Sequence, residues 1–326
     1  MKPWFVIVNT VTSMTASQST MGLIERAVRR GIPTFVVPAT GIDTLPTGEL
    51  RAWAHPVVLK EGTKSTLVAL KTSAPTSQSL ADAGLVWIRV NPGRSKPAVH
   101  ALLLEQLVAL EAQGVPVLNS PLGLMVSRSK LYLSRFPQHA RPPTLVTRNA
   151  RSARSFVHSL DGPAVIKPAI GTRGQDVFVV RGADDPNFNQ ICDVVFRSGL
   201  ALVQGFVPEA TGGDTRVLLV NGKLLEQDGH LCAVRRVPSG SDFRSNVHVG
   251  GQPQPAKVTP ELRALVDAVG PILRQDGLFL VGLDVIGNVV VEANVFAPGG
   301  FADAELFSGI DFLETVLDEA TQAARD

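Results

Sequence analysis

Asp284, Glu292 and Asn294 sit inside the apolar stretch Val281-Gly282-Leu283-Asp284-Val285-Ile286-Gly287-Asn288-Val289-Val290-Val291-Glu292-Ala293-Asn294. Two β-branched runs broken by Gly287-Asn288 read as a β-hairpin. Carboxylates buried on neighbouring strands without a partner are costly, so the pair calls for a cation. Oxygen donors with no sulfur or imidazole beside them suit Mg²⁺, which also coordinates substrate phosphates. The competing reading is that all three are strand-end or turn residues facing water. Glu292 and Asn294, two apart, share a face of their strand. Asp284 joins them only through an odd-length connection, so the expectation is a three-residue loop with a bulge in place of the commoner two-residue turn.

Basic groups recur at places where they could meet anions. The strand Ala164-Val165-Ile166-Lys167-Pro168 ends near a glycine loop, Gly171-Thr172-Arg173-Gly174-Gln175, and a second strand starts at Val177. Strand, loop, strand excludes a Walker loop, which must open a helix. Glycines at 171 and 174 let backbone amides approach a phosphate, and Lys167 and Arg173 add charge. A phosphate flap and an ordinary hairpin loop both fit. Arg235, Arg236, Arg244, Asn246 and His248 lie in or beside a stretch rich in glycine and serine, as a lid over phosphates would, or as solvated loop charge. Residues 239–250 are small and polar, and are expected to be mobile without nucleotide. Gln204-Gly205, late in the apolar strand Leu200–Val207, offers a strand edge of the kind an adenine needs. Ser17, Ser19 and Thr20 follow the first strand, and Arg89 ends a later one. They could face one crevice and hold an anion, or serve as an N-cap and a surface ion pair.

These residues need a framework. Trp4–Val8, a helical pattern from Met21 to Arg30 and Thr34–Pro38 form the β-loop-α-β opening of a doubly wound parallel sheet. Ligands bind such sheets at the carboxyl ends of the strands. Residues 53–59 and 65–71 read as a small antiparallel excursion. Leu85–Arg89 is a buried strand, Ala101–Gln113 a leucine-rich helix, and the first domain closes near Ser120-Pro121. A short helix opens at Ser127-Arg128-Ser129-Lys130. Asn221-Gly222 is a strong hairpin signal. Pro260–Gln275 is an amphipathic helix, and a last helix starts at Phe312.

Composition narrows the class. The chain has 326 residues, is 44 % hydrophobic and carries a net charge of +2, too balanced for a polyanion-binding surface. Tyr132 is its only tyrosine, which argues against a stacking groove for single-stranded nucleic acid. Cys192 and Cys232 lack metal or redox spacing and read as buried thiols. No apolar run is long enough to span a bilayer and no signal peptide is evident, so a cytoplasmic protein is expected.

The order of these features resembles the ATP-grasp superfamily, and within it the bacterial glutathione synthetases. The matching stretches are Thr144–Asn149, Gly213–Gly222, Arg244-Ser245-Asn246 through Gly250-Gly251, Gly277–Gly287 and Glu292-Ala293-Asn294. The likeness runs nearly end to end and is loosest in the first hundred residues. It implies an α/β ATP-grasp fold behind an N-terminal doubly wound domain, with boundaries at 1–121, 122–202 and 203–326. It implies ATP and Mg²⁺ as cofactors. Lys130 and Lys167 would meet the α- and β-phosphates, and Gly171, Thr172, Arg173, Gly174 and Gln175 would fold over the triphosphate. Gln204, Gly205, Phe206 and Val207 would border the adenine, with Asp214 near the nucleotide. Asp284, Glu292 and Asn294 would hold the metal. Arg216, Arg236, Arg244 and Asn246 would surround the transferring phosphoryl group, and Ser19, Arg89, Gly250, Gly251, Ala297 and Pro298 the substrate.

The implied activity is an ATP-dependent carboxylate–amine ligase working through an acyl phosphate on small-molecule substrates, in a homo-oligomer. True glutathione synthesis and small-molecule phosphorylation are the alternatives. This chain departs from the family where substrate would bind. It has Asn9 for an acidic residue, Val90-Asn91 for a Lys-Asp type of pair, and Phe296-Ala297-Pro298-Gly299 for Thr-Ser-Pro-Thr. A substrate pair other than γ-glutamylcysteine and glycine is therefore expected.

Overall fold

A computed structural model describes residues 1–94, 97–171, 175–238 and 251–325. The first sheet is built from Trp4–Val8 (β1), Thr34–Pro38 (β2), Ile42–Thr44 (β3), Leu50–Pro56 (β4), Thr76–Ser79 (β5), Leu85–Ile88 (β6) and Val117–Leu118 (β7). Its order is β3-β4-β2-β1-β6-β7, with β5 beside β4. β1, β2, β6 and β7 run parallel, which is the doubly wound part. All five residues of β1 and all four of β6 are buried, as strands covered on both faces must be. Helices Ser19–Arg29 (α1), Thr63–Thr72 (α2), Pro97–Ala112 (α3) and the short Pro121–Val126 (α4) accompany this sheet.

One expectation fails here. Residues 65–71 are helical within α2, and the antiparallel partner of β4 is the polar strand β5, Thr-Ser-Gln-Ser. Leu67 and Leu70, three apart, are both buried while Val68 is exposed, a helical period that alternation cannot satisfy. Thr66 donates its hydroxyl back to the Gly62 carbonyl, bracing the first turn.

The second sheet contains Thr144–Thr147 (β8), Ala164–Pro168 (β9), Phe178–Val180 (β10) and Ala201–Gly205 (β11), in the order β10-β9-β11-β8, all antiparallel. Ala150–Ser159 (α5) and Phe188–Phe196 (α6) cover it, and Val157, Ile166, Phe188 and Val203 are in its core. Neither helix was anticipated.

The third sheet runs β17-β16-β12-β18-β19. Its strands are Asp214–Val220 (β12), Lys223–Leu224 (β13, paired with β12), Ala233–Val237 (β16), Gln252–Pro255 (β17), Leu280–Ile286 (β18) and Val289–Asn294 (β19). Glu226–Gln227 (β14) and His230–Leu231 (β15) form a separate ribbon. Asn221 and Gly222 both have positive φ, 49° and 71°, which a two-residue type I′ turn requires. Pro260–Gln275 (α7) has the expected bounds, and Phe301–Ser308 (α8) precedes Phe312–Ala323 (α9).

Asn119 fastens the first sheet to the third. Its amide donates to the carbonyls of Val295 (2.6 Å) and Leu280 (3.2 Å), and its oxygen accepts from the Leu280 amide (2.8 Å). The chain ends are tied as well, by Arg26 of α1 on Asp311 at 2.7 Å.

Candidate active site

The hairpin β18–β19 presents its three oxygen-bearing residues together, by a different route from the expected one. Its turn is the two-residue Gly287-Asn288, with Ile286 opposite Val289 and Val285 opposite Val290. Asp284 then lies opposite Glu292, because Val291 is an extra residue in a β-bulge. Directly opposed residues share a face, so Asp284 and Glu292 stand side by side, with Asn294 one step along. The odd residue is stored in the strand and not in the loop. Gly287, at φ 54°, gives the turn its left-handed first position.

Asp284 is 2 % exposed and is held by two guanidiniums. Arg216, opposite it on β12, donates through Nε and Nη2 at 2.6 and 2.8 Å. Arg236 of β16 reaches its Oδ2 at 2.9 Å and pairs bidentately with Asp214, its neighbour across the ladder. Burial pushes the Asp284 carboxyl up, but Arg216 and then Arg236 outweigh it and hold the pKa at about 2. Burial likewise works against the Arg236 charge, and Asp284 and Asp214 overcome it and raise its pKa. The Asn294 amide donates to Asp284 at 3.3 Å.

Two lysines stand against the other carboxylate. Lys130 Nζ is 3.5 Å from Glu292 Oε1 and donates to the Gly171 carbonyl, where the glycine loop begins. It opens a short 3₁₀ turn, Lys130–Arg135, that packs on β19. Lys167, at the end of β9, is 8 % exposed. Burial lowers its pKa to about 8, with Lys130 adding to the drop and Glu292 and Asp284 opposing it. Its one hydrogen bond among the described residues, to the Val291 carbonyl, is long at 3.5 Å. The second and third sheets and the Lys130 turn thus converge on a set of paired and partly paired charges.

The crevice of the first sheet holds a further cation. Arg89 is buried and follows β6, and its guanidinium donates to the hydroxyls of Thr20 (3.1 Å) and Ser19 (3.0 Å). It has no ion pair among the described residues, and burial lowers its pKa to about 10. The Ser19 hydroxyl donates to the Pro298 carbonyl at 3.4 Å, which brings the Arg89 corner against the segment leaving the β18–β19 hairpin. Pro298 is buried, Ala297 half-buried, and Gly251 buried at the start of β17. Among the described residues the Ser17 side chain makes only a 3.4 Å contact with Thr15.

The expected strand edge at Gln204-Gly205 is not there. β11 lies inside its sheet, so Gln204 pairs with Val165 and Thr144, and the Gly205 amide donates to Pro143. The Gln204 side chain is also committed, to Thr144 Oγ1 at 3.0 Å. Beyond Gly205 the Phe206 amide still donates to the Pro163 carbonyl at 3.0 Å, and the Val207 carbonyl accepts from the Ala210 amide. Gln175 is described and exposed, whereas Thr172, Arg173, Gly174, Arg244, Asn246, His248 and Gly250 lie outside the described residues.

Among the described residues no group of three His, Cys, Asp or Glu could hold a metal. Two carboxylates and an amide on one face are nevertheless the oxygen donors a hard cation takes, although both oxygens of Asp284 here accept from Arg216 and Arg236.

Family comparison decides what this framework is. The family described as "Prokaryotic glutathione synthetase, ATP-grasp domain" matches residues 129–309, and "Prokaryotic glutathione synthetase, N-terminal domain" matches residues 1–124. This chain belongs to the prokaryotic glutathione synthetase family. It is 31 % identical to the glutathione synthetase of Synechocystis over 92 % of both chains. With that of Synechococcus elongatus it shares 37 % identity over 72 % of this chain and 69 % of the relative. The ATP-grasp ligase PsnB has the same fold, with a TM-score of 0.62 and 20 % identity over 98 % of this chain and all of the other. So does D-alanyl-alanine synthetase A from Vibrio cholerae, at 0.61 and 15 % over 99 % and 98 %. As a family member the protein is an ATP-dependent carbon–nitrogen ligase that joins a carboxylate to an amine.

One residue escaped the sequence reading. His100 is a buried histidine in the first turn of α3, a helix whose other apolar positions made it look like plain core. Its only sequence signal is a polar side chain among leucines.

Proposed function

We propose that the cleft lined by β9, β12, β18, β19 and the crevice of the first sheet activates a small carboxylate as an acyl phosphate and passes it to an amine. The observation that carries this is the placement of Lys130 and Lys167 around Glu292, with Arg216 and Arg236 around Asp284, within one set of contacts. Lys130 and Lys167 bind the α- and β-phosphates of ATP, and residues 171–175 cover them. Phe206 and Val207 border the adenine, and Asp214 positions Arg236. Asp284, Glu292 and Asn294 hold Mg²⁺, which supplies charge neutralisation at the phosphates.

In the first step a substrate carboxylate oxygen attacks the γ-phosphorus and ADP leaves. The amine then attacks the acyl carbon, phosphate departs, and the amine loses a proton. Arg216 and Arg236, joined by Arg244 and Asn246, orient the carboxylate and the in-flight phosphoryl group. Arg89 and Ser19, with Gly250, Gly251, Ala297 and Pro298, seat the rest of the substrate. The three parts 1–121, 122–202 and 203–326 act as subdomains of a cytoplasmic homo-oligomer.

A second reading, glutathione formation itself, is favoured by the names of the relatives. Against it stands the segment 296–299, which offers Phe, Ala, Pro and Gly and no hydroxyl. A phosphate-release screen across amino acids and γ-glutamyl peptides, each with and without amine acceptors, separates the possibilities. Phosphate and ADP appearing only when an acid and an amine are both present supports ligation. A stable phosphorylated product without amine would instead mean a kinase. Glutathione made efficiently from γ-glutamylcysteine and glycine would establish the second reading.

A further inference from the structure

His100 combines features that a core residue should not have. It is 5 % exposed, and its Nε2 is buried with no hydrogen-bond partner, the one such side-chain atom among the described residues. Leaving a buried donor or acceptor unpaired costs about 1–3 kcal/mol, whereas a phenylalanine or leucine there would cost nothing of the kind.

Its surroundings belong to the site. α3 starts beyond β6 and Arg89, so its first turn lies on the crevice side of the first sheet. The imidazole stands edge-on to Phe296, with ring centroids 5.1 Å apart and planes at 75°. Phe296 comes two residues after Asn294 and just before the half-buried Ala297. Burial lowers the imidazole pKa and Arg128, two residues before Lys130, lowers it further. The first turn of α3 has no acidic residue, so the amide ends of the helix and Arg128 make the surroundings positive. With its proton on Nε2 the neutral imidazole presents a donor there, and the positive surroundings favour an oxygen acceptor opposite it.

We propose that His100 is a specificity-determining residue of the ligase, donating from Nε2 to a carboxylate or carbonyl oxygen of the small-molecule substrate seated between α3 and residues 296–298. This rests on the ligase reading above and adds the polar contact that the missing hydroxyls of residues 296–299 do not supply. The substrate class it selects is an amino-acid-like or peptide-like compound with an acceptor oxygen reaching toward Phe296.

The test uses the full chain with His100→Phe, which keeps the ring packing, and His100→Gln, which keeps a donor. Thermal unfolding is followed with AMPPNP and Mg²⁺, then with γ-glutamylcysteine, glycine and each proteinogenic amino acid added singly. At least one of these compounds is expected to raise the wild-type Tm. In His100→Phe that protection should vanish and the KM for that compound should rise at least tenfold. Its Tm without ligand should be equal or higher, and its KM for ATP unchanged. His100→Gln should recover part of the loss. An unaltered KM in His100→Phe, or no protection of the wild type by any compound, overturns the proposal. Failure of AMPPNP alone to shift the wild-type Tm removes the ligase reading together with it, and so is told apart from failure of His100 alone.

Discussion

Replacing Lys167 with methionine is expected to stabilise the free protein while blinding it to nucleotide. Lys167 is 8 % exposed, and its ammonium has a pKa of about 8 against an ordinary 10.5. At 1.36 kcal/mol per unit, that drop means the charged form costs the native state about 3 kcal/mol. Lys167 is therefore a cation held in readiness, poorly hydrated and poorly paired. Methionine keeps much of its stem and drops the charge, so a gain of about 1–3 kcal/mol at pH 7 is expected after the lost attraction to the Glu292 and Asp284 charges is counted. The pH dependence has a definite sign. Because the native pKa lies below the unfolded one, the unfolded chain binds more protons between them, and wild-type stability climbs as pH rises from about 8 to 10.5. The Lys167→Met variant lacks that climb, so the two proteins should converge near pH 10.5. Urea unfolding of both proteins at pH 7 and pH 10.5 measures the difference, and calorimetric titration with AMPPNP measures the binding loss. A variant less stable than wild type at pH 7, or one binding AMPPNP normally, would refute the reasoning.

Asp284→Asn should cost about 2–3 kcal/mol at pH 7, because Arg216 and Arg236 hold the carboxyl at about 2 against 3.8. That contribution is present above pH 4 and fades as pH falls toward 2, so urea unfolding at pH 3 should show roughly half the gap. Arg89→Met is expected to leave AMPPNP affinity unchanged and raise the KM for the carboxylate substrate at least tenfold, as steady-state kinetics would show. Arg244→Ala should lower kcat more than it weakens ATP binding, and equal losses would make Arg244 a ground-state contact only.

Much of the framework could be read from local patterns. β1, β9, α7 and the β18–β19 hairpin are long or strongly patterned, and their side chains declare which face is buried. The Asn221-Gly222 turn was legible because its backbone demands those residue types. Helix α2 was misread because Leu67, Val68 and Leu70 are too few to separate a period of two from one of 3.6. The interior position of β11 was invisible because strand order is set by long-range pairing with β8 and β9, which no local run of Gln204 and Gly205 encodes. In the site, residue types announced the carboxylates and lysines, but not that Arg216 and Arg236 would clasp Asp284. That contact depends on the register of β12 against two neighbours. His100 was hidden for a similar reason, since only Phe296, distant in the chain, shows which way it is used.

The bulge at Val291 gives the hairpin a phase. Along a pleated pair each residue step reverses sides, and a regular ladder above a two-residue turn would set Asp284 against Val291 and send Glu292 to the opposite surface. One spare residue, kept in mid-strand, restores the phase and directs its carbonyl toward Lys167. Changes in length at this hairpin are then unequal. Deleting Val291 leaves Asp284 facing Glu292 across an unbroken ladder, whereas straightening the strand with every residue retained separates them. The common face of Asp284, Glu292 and Asn294 thus belongs to the counting of the chain as much as to the three side chains.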